Sequence, residues 1–499
     1  MPPEHHRTQE TIKRMAPSEV EVSSTESLRR RMLSQVKTPY DSLLRSSDRR
    51  VQYYLDLIKI RIALSSGALR LRDAYAAISL LEEDPEFGIS GTFGPLPESW
   101  SPKMIQRLIK NLRILRRTKV MGAQQIYSAI IDMLTFHNPH DPPRGRHRDV
   151  FAYFVHHPLA TFSHAARDLQ CHRSTIKTAY SALLERYHIM ALGLLNGCAF
   201  GIQTFILFFE LKEKSRWEHI RDKLLSFRFT KTLHRVTTSP LGFVSFAIPA
   251  CSSNIAEMRS GVERISEKLF NYSSLHMMGT IARYVNPHLL KDGTWCLPDS
   301  LKGKVNMKSR SPEPASAIVS CPRYVEGLTR EDFYVSEVAG YYLRDSATKI
   351  ANIMSDRGHE MFPSQVAYRR AKLLRKGVMA PWLWFGRAGL HYNFCVEIVC
   401  DEDMRERVFS MVSDFPEVFI SKSDRGVILW LETPRYHLKE YYRFLSSLTD
   451  MQGVERVNPI LAVMRSGGKN YIDIFDGLKF GRQGFTHASH DVDIAEHVL

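Results

Sequence analysis

FSHAARDLQCHRSTIKTAYSALLERYHIM, from Phe162 to Met190, carries the reading of the chain. A short helix (Ser163–Leu169), a three-residue turn and a longer helix (Arg173–Tyr187) follow one another here. Ile176, Ala179, Tyr180, Leu183 and Leu184 recur at helical spacing and form an apolar stripe. Arg173, Ser174, Lys177, Thr178 and Ser181 project from the opposite face. That combination suits a helix locked onto two others while its polar face enters a DNA groove. Arg can bond guanine bidentately, Lys and Ser suit phosphates or base edges, and a Thr methyl can touch thymine. His172 stands at the cap position, where Ser or Asp is more usual.

The pattern occurs a second time, about 190 residues later, in SQVAYRRAKLLRKGVM from Ser364 to Met379. Arg369, Lys372, Arg375 and Lys376 make this second helix strongly basic, although Arg370 falls where an apolar residue is expected. It suits phosphate contact through Arg369 and Lys372 more than base reading. Each copy leads into a strand, a helix, two strands, a helix and a strand. The fold class expected is α+β: winged helix-turn-helix heads plus ferredoxin-like α/β sandwich bodies, duplicated, with an N-terminal helical region.

The expected layout along the chain follows. Residues 1–47 form a polar, mobile segment, and 48–136 a basic helical domain. Residues 149–201 form a winged helix-turn-helix with the wing at Gly193–Gly201, and 202–286 a ferredoxin-like body. A linker at 287–330 is rich in Pro, Gly, Ser and Lys. A degenerate head at 331–389, a second body at 390–465 and a tail at 466–499 without an assigned role complete the chain. As a flexible coil, 44 residues of linker span roughly 35–40 Å, enough for the two bodies to pair within one chain.

In the basic helical domain, Ser101-Pro102 reads as a helix start. Ile105, Leu108, Ile109, Leu112 and Leu115 form an apolar stripe. The other face carries Lys103, Arg107, Lys110, Arg113, Arg116, Arg117 and Lys119 with no acid among them. Arg113, Arg116 and Arg117 are candidate phosphate contacts. The alternatives are a third, degenerate helix-turn-helix and an ordinary amphipathic helix with a solvated basic face. The net charge of +15 and a pI near 9.4 favour a polyanionic partner, double-stranded DNA.

Seven cysteines, none in a Cys-x-x-Cys pair, read as reduced thiols in a cytoplasmic protein. The run Ile202–Phe209 is too short to span a membrane and reads as a buried strand. The N-terminus lacks the apolar core of a secretory signal. No phosphate loop, Gly-x-Ser-x-Gly or His-Glu-x-x-His is present, so no enzyme, cofactor or metal is expected. His137, His140 and His147 sit among Pro and Arg, as a linker would.

LQCHRSTIK (Leu169–Lys177), running into Leu183-Leu184 and Ile189, resembles the helix-turn-helix of the leucine-responsive regulator/AsnC family. MQGVERV (Met451–Val457) is similar to that family's turn into the last strand of its ligand-binding domain. The resemblance covers about 149–286 and 331–465. It implies a bacterial or archaeal transcription regulator whose bodies pair through their sheets and hold a small-molecule effector. The family's Gly-x-x-Asp turn is replaced by Thr237–Gly242 and Ser421–Gly426, so an amino-acid effector is not implied. Two alternatives share the architecture. One is a nucleoid-type architectural DNA-binding protein. The other is a tetrapyrrole-modifying enzyme similar to sirohaem decarboxylases, with His234 and Arg235 as its candidate residues; Phe385-Gly386-Arg387 only loosely resembles a turn of those enzymes.

Overall fold

The computed structural model describes residues 19–82, 102–122, 125–126, 129–130, 141–236, 241–302, 315–321, 325–386, 388–390, 392–461, 463–487 and 489–499. The chain divides into two units, 1–138 and 139–499. His137, His140 and Arg387 lie outside the described residues.

The first unit is helical, with α1 (Glu19–Gln35), α2 (Arg49–Ser65), α3 (Leu71–Glu82) and α4 (Pro102–Arg117). Asp48 starts α2 by accepting from the Arg50 and Val51 amides, which satisfies donors that the helix leaves over. Met104, Leu108, Ile109 and Leu112 of α4 pack against Leu55, Ile58 and Ile62 of α2 in one core. Within the segment expected to be mobile, Glu19–Gln35 is helical. Leu33, Val36, Leu43 and Leu44 are buried, and Arg29 pairs with Asp56 at 3.1 Å, both with almost no exposure. The scattered apolar residues of this segment each cap a neighbour's core, which leaves no periodic stripe to read.

The second unit begins with α5 (Gly145–His156), α6 (Phe162–Asp168) and α7 (Arg173–Tyr187), then β1 (Met190–Leu195). The first body follows: β2 (Ile202–Leu211), α8 (Trp217–Ser226), β3 (Thr230–Val236), β4 (Leu241–Pro249), α9 (Ser252–Leu269) and β5 (Phe270–Val285). A small hairpin, β6 (Leu290–Lys291) with β7 (Thr294–Trp295), and β8 (Ala317–Val319) come next. Three helices, α10 (Arg330–Tyr341), α11 (Ala347–Asp356) and α12 (Pro363–Arg375), precede β9 (Met379–Trp384). The second body is β10 (Tyr392–Cys400), α13 (Glu402–Val412), β11 (Glu417–Ser423), β12 (Gly426–Thr433), α14 (Leu438–Thr449) and β13 (Val454–Leu461). β14 (Val463–Gly468), α15 (Tyr471–Phe475), the hairpin β15 (Lys479–Gly481) and β16 (Gly484–Thr486), and α16 (Ile494–Val498) close the chain.

The order β-α-β-β-α-β thus occurs twice in an α+β architecture. The large sheet runs β13-β10-β12-β11-β5-β2-β4-β3-β14. Within each body the fourth strand neighbours the first and the third separates first from second. Strand alternation explains the layering. Phe205, Leu207, Phe209 and Leu211 of β2 are buried in one core with α8 and α9 residues such as Leu224 and Ile265. Phe394, Val396 and Ile398 of β10 do the same with Val408 of α13 and Leu445 of α14. Phe208, Met278, Cys395 and Ile428 share a third core on the opposite faces of the strands.

β5 is the hinge of this arrangement. Its first half pairs with β2 and its second half with β11 of the other body. β13 and β14 repeat the device from the other side: β13 pairs with β10, and β14, one residue further on, with β3 of the first body. The sheet therefore returns on itself. An isolated fragment 149–286 leaves the outer half of β5 and all of β3 as open edges, which are templates for intermolecular pairing. Such a fragment should self-associate or precipitate in size-exclusion chromatography; a stable monomer would contradict this.

Several expectations need correction. Gly193–Gly201 is no wing. β1 instead pairs antiparallel with β9, from Met190 opposite Trp384 to Leu195 opposite Met379, and Gly197–Phe200 is a single tight helical turn. Gly193 permits the pairing, since a Cβ there would lie 2.4 Å from the Met379 sulfur. The described parts of 287–330 are no flexible coil: β8 pairs with β5, and buried Trp295 donates its indole N–H to the Ala388 carbonyl at 2.8 Å. The tail completes the first body's edge through β14, and α16 packs along α9. Cys198 and Cys321 form a disulfide across a sequence separation of 123 residues, so the thiols are not all reduced.

Candidate nucleic-acid interface and buried polar centre

In the first head, Thr161 starts α6 by accepting from the His164 amide, and the His172 ring starts α7 by accepting from the Ser174 amide. Gln170 holds the turn between them at φ +51°, a left-handed conformation costing about 1 kcal/mol for a residue with a Cβ. Val150, Phe151 and Phe154 of α5 meet Ala165 of α6 and Ile176, Ala179 and Leu183 of α7 in a closed core. Tyr180 stacks edgewise between Phe154 and Phe162, at 4.8 and 5.2 Å. Leu184, expected in the stripe, is 48% exposed. Arg173, Ser174, Lys177, Thr178 and Ser181 are all exposed along one face. Two cations therefore sit beside the positive end of the α7 dipole.

The second head differs in kind. Arg369 donates to Thr329 and Asp332 at 2.9 Å each, and the Lys372 ammonium reaches Asp332 at 2.6 Å. Burial alone would raise the Asp332 carboxyl, yet Lys372 and Arg369 hold it below its ordinary value. The two cations expected to contact DNA are thus consumed by one fully buried carboxylate at the start of α10. Arg370 donates to the Leu343 and Asp345 carbonyls, which explains a charged residue at an apolar position. Arg344 of this head lies over the rings of Phe154 and Tyr180 at 5.1 Å each and donates to the Pro158 carbonyl at 2.9 Å. It ties the two heads together, and no local pattern announces it.

In the first unit, Arg113, Arg116 and Arg117 of α4 are exposed, and Arg116 also donates to the Ser42 carbonyl at 2.5 Å.

A second constellation lies between the bodies and was not read from the sequence. Tyr272, Ser274 and His276 occupy alternate positions of β5, Glu397 the middle of β10, Asn458 β13 and Ser423 the end of β11. His276 and Glu397 are fully buried, with His276 Nε2 2.8 Å from Glu397 Oε1 and Nδ1 2.8 Å from the Ser423 hydroxyl. The Tyr272 hydroxyl donates to Glu397 at 2.9 Å, and the Asn458 amide donates to Glu397 at 2.6 Å. Burial would raise the Glu397 carboxyl, but His276 and Asn458 hold it below its ordinary value. Burial and Glu397 push the Tyr272 hydroxyl up to about 12. A buried charge so fully bonded joins four strands of two bodies. The signal available was polarity at period two within a covered strand.

His234 and Arg235 do not converge. His234 stacks on Phe243 at 4.4 Å, whereas Arg235 lies over the Trp217 ring at 5.2 Å; as consecutive strand residues they face opposite sides of β3. Among the described residues, no group of three His, Cys, Asp or Glu is placed to hold a metal, and no helix is long and apolar enough to cross a membrane.

No protein-family profile matches the chain, and no curated protein sequence matches it. Two solved structures are similar. One is the siroheme decarboxylase NirDL, with a TM-score of 0.39, 11% identity, and coverage of 66% of this chain and 96% of that chain. The other is NirDL in co-complex with an iron-uroporphyrin III analogue, with a TM-score of 0.38 and the same identity and coverage. At this similarity neither bears on what this chain binds or does.

Proposed function

We infer that the chain is a DNA-binding regulator in which α7 enters a major groove and the two bodies act as an intramolecular pseudo-dimer. The head-plus-body units descend from a tandem duplication, and the heads are helix-turn-helix modules of the leucine-responsive regulator/AsnC kind. The observation that carries this reading is the division of α7. Ile176, Ala179 and Leu183 are buried while Arg173, Ser174, Lys177, Thr178 and Ser181 form one exposed face that carries no acid before Glu185 in the last turn. In the first unit, Arg113, Arg116 and Arg117 grip backbone phosphates without reading sequence. The second head serves as a structural partner, its basic residues being bound to Asp332.

Variants of the two surfaces should then differ in kind. Arg173→Ala or Lys177→Ala should weaken a preferred duplex more than a random one, by about 1–3 kcal/mol for a lost base contact. Neutralising Arg113, Arg116 and Arg117 should weaken all duplexes alike and flatten the salt dependence by roughly one unit per lost phosphate contact. Fluorescence anisotropy on both duplexes across a salt series makes the measurement. If Arg173→Ala and Lys177→Ala leave both affinities unchanged, α7 is not the reader. Equal loss on both duplexes instead favours an architectural role.

A further inference from the structure

The first unit carries a wide, open surface depression of about 670 Å³ lined by Arg45, Ser46, Ser47, Arg116, Lys119 and Gln125, with no carboxylate among these described lining residues. The acids nearest in sequence are engaged elsewhere. Asp41 bonds Thr38 and pairs with Lys59 at 3.3 Å, and Asp48 is held by the α2 amides. Three cations therefore line one depression, with no carboxylate among its described lining residues. The Ser46 hydroxyl accepts from the Asp48 amide at 3.1 Å, which leaves its own hydrogen to donate.

The end of α4 adds an independent observation. The Val120 amide bonds the Leu115 carbonyl at 3.0 Å and the Lys119 amide bonds Arg116 at 3.3 Å. This is the helix ending in which the residue at the Lys119 position turns left-handed, usually as glycine. Lys119 sits there at φ +58°. The Lys119 side chain thus leaves the helix end from a conformation that glycine adopts more easily, and it lines the depression.

We propose that this depression binds a phosphate ester, with Arg45, Arg116 and Lys119 on the phosphate oxygens and Ser46 and Ser47 as hydroxyl donors. Guanidinium groups match the geometry of phosphate oxygens, and the absence of a carboxylate selects for an anion. The proposal deepens the phosphate-gripping role inferred for this unit and stands whether or not α7 reads DNA. The phosphate comes either from a nucleic-acid backbone or from a free nucleotide.

The test is calorimetric titration of the full chain with pyrophosphate at low ionic strength. The parent should bind. Arg45→Ala and Lys119→Gly should each bind about tenfold more weakly or worse, as expected for a lost charge-assisted bond. Lys119→Gly should melt at the same temperature or higher, because glycine adopts this φ freely; that result separates lost binding from lost folding. Competition by random duplex DNA assigns the phosphate to a backbone, and competition by adenosine monophosphate alone assigns it to a free nucleotide. Competition by neither overturns the ester class. No pyrophosphate binding by the parent, or undiminished binding by both variants, overturns the site. A DNA-binding failure of Arg173→Ala touches only the reading of α7.

Discussion

Glu397→Ala is expected to lower the unfolding free energy of the chain by about 3–5 kcal/mol, because three hydrogen-bond donors lose one charged acceptor and such bonds contribute about 1.5–3 kcal/mol each when buried. The substitution strips fully buried His276 and half-buried Tyr272 and Asn458 of their common acceptor. Unpaired polar groups there lose both water and partner. A His276→Leu/Glu397→Leu double variant should recover part of the loss, since the remaining cost is that of the smaller donors alone. The pH dependence has a defined sign. The Glu397 carboxyl lies below its ordinary value of 4.5 in the folded chain, so its contribution is complete above about pH 4.5 and is lost as pH falls through the lower folded value. Urea unfolding of parent and Glu397→Ala across acidic pH should therefore show a shallower acid-side decline for the variant. A loss below about 1 kcal/mol would mean that the pair is not buried as described.

Arg283→Ala should cost a comparable amount, about 3–5 kcal/mol. Arg283 is buried on β5, pairs with Glu417 of β11, donates to the Leu383 carbonyl and lies 4.1 Å from the centre of the Trp382 ring. Burial pushes the Glu417 carboxyl up, and Arg283 is the charge that opposes this. Without Arg283 the carboxylate must take up a proton or remain buried and unpaired. Arg283→Lys should also be destabilising, because a point charge cannot make both hydrogen bonds and stack on an indole. Glu417→Gln in the Arg283→Ala background should restore part of the stability by removing the stranded charge. Urea unfolding of the parent, Arg283→Ala, Arg283→Lys, Glu417→Gln and the Arg283→Ala/Glu417→Gln double variant is the measurement. Additive losses from Arg283→Ala and Glu417→Gln would show that the pair is not coupled.

Much of the secondary structure was legible because it is written in local periodicity. The recognition-helix bounds, Arg173 to Tyr187, follow from a 3.6-residue stripe and a capping group at His172. The two β-α-β-β-α-β series follow from the switch between strand and helix periods. What escaped is set by partners far along the chain. Arg369 and Lys372 look free for DNA until Asp332 arrives from 37 and 40 residues away. His276 meets Glu397 across 121 residues, and Cys198 meets Cys321 across 123. The wing was misread for the same reason: β1 has strand character, but its partner is β9 of the other head. In each case the residue type was visible, and its use depended on a contact that no spacing rule encodes.

The pairing of β14 with β3 carries a consequence for synthesis. β3 ends at Val236 and its edge partner begins at Val463. At about 5–20 residues per second, a ribosome needs roughly 10–50 s to deliver the second after the first. Throughout that interval the nascent first body offers an unpaired strand edge, and the outer half of β5 waits in the same way for β11. The early portion of the chain is thus exposed to other nascent copies on the same polysome for as long as the later portion is being made. Slowing elongation between residues 300 and 460 should increase co-translational aggregation, and holding the chain with a chaperone during that window should suppress it.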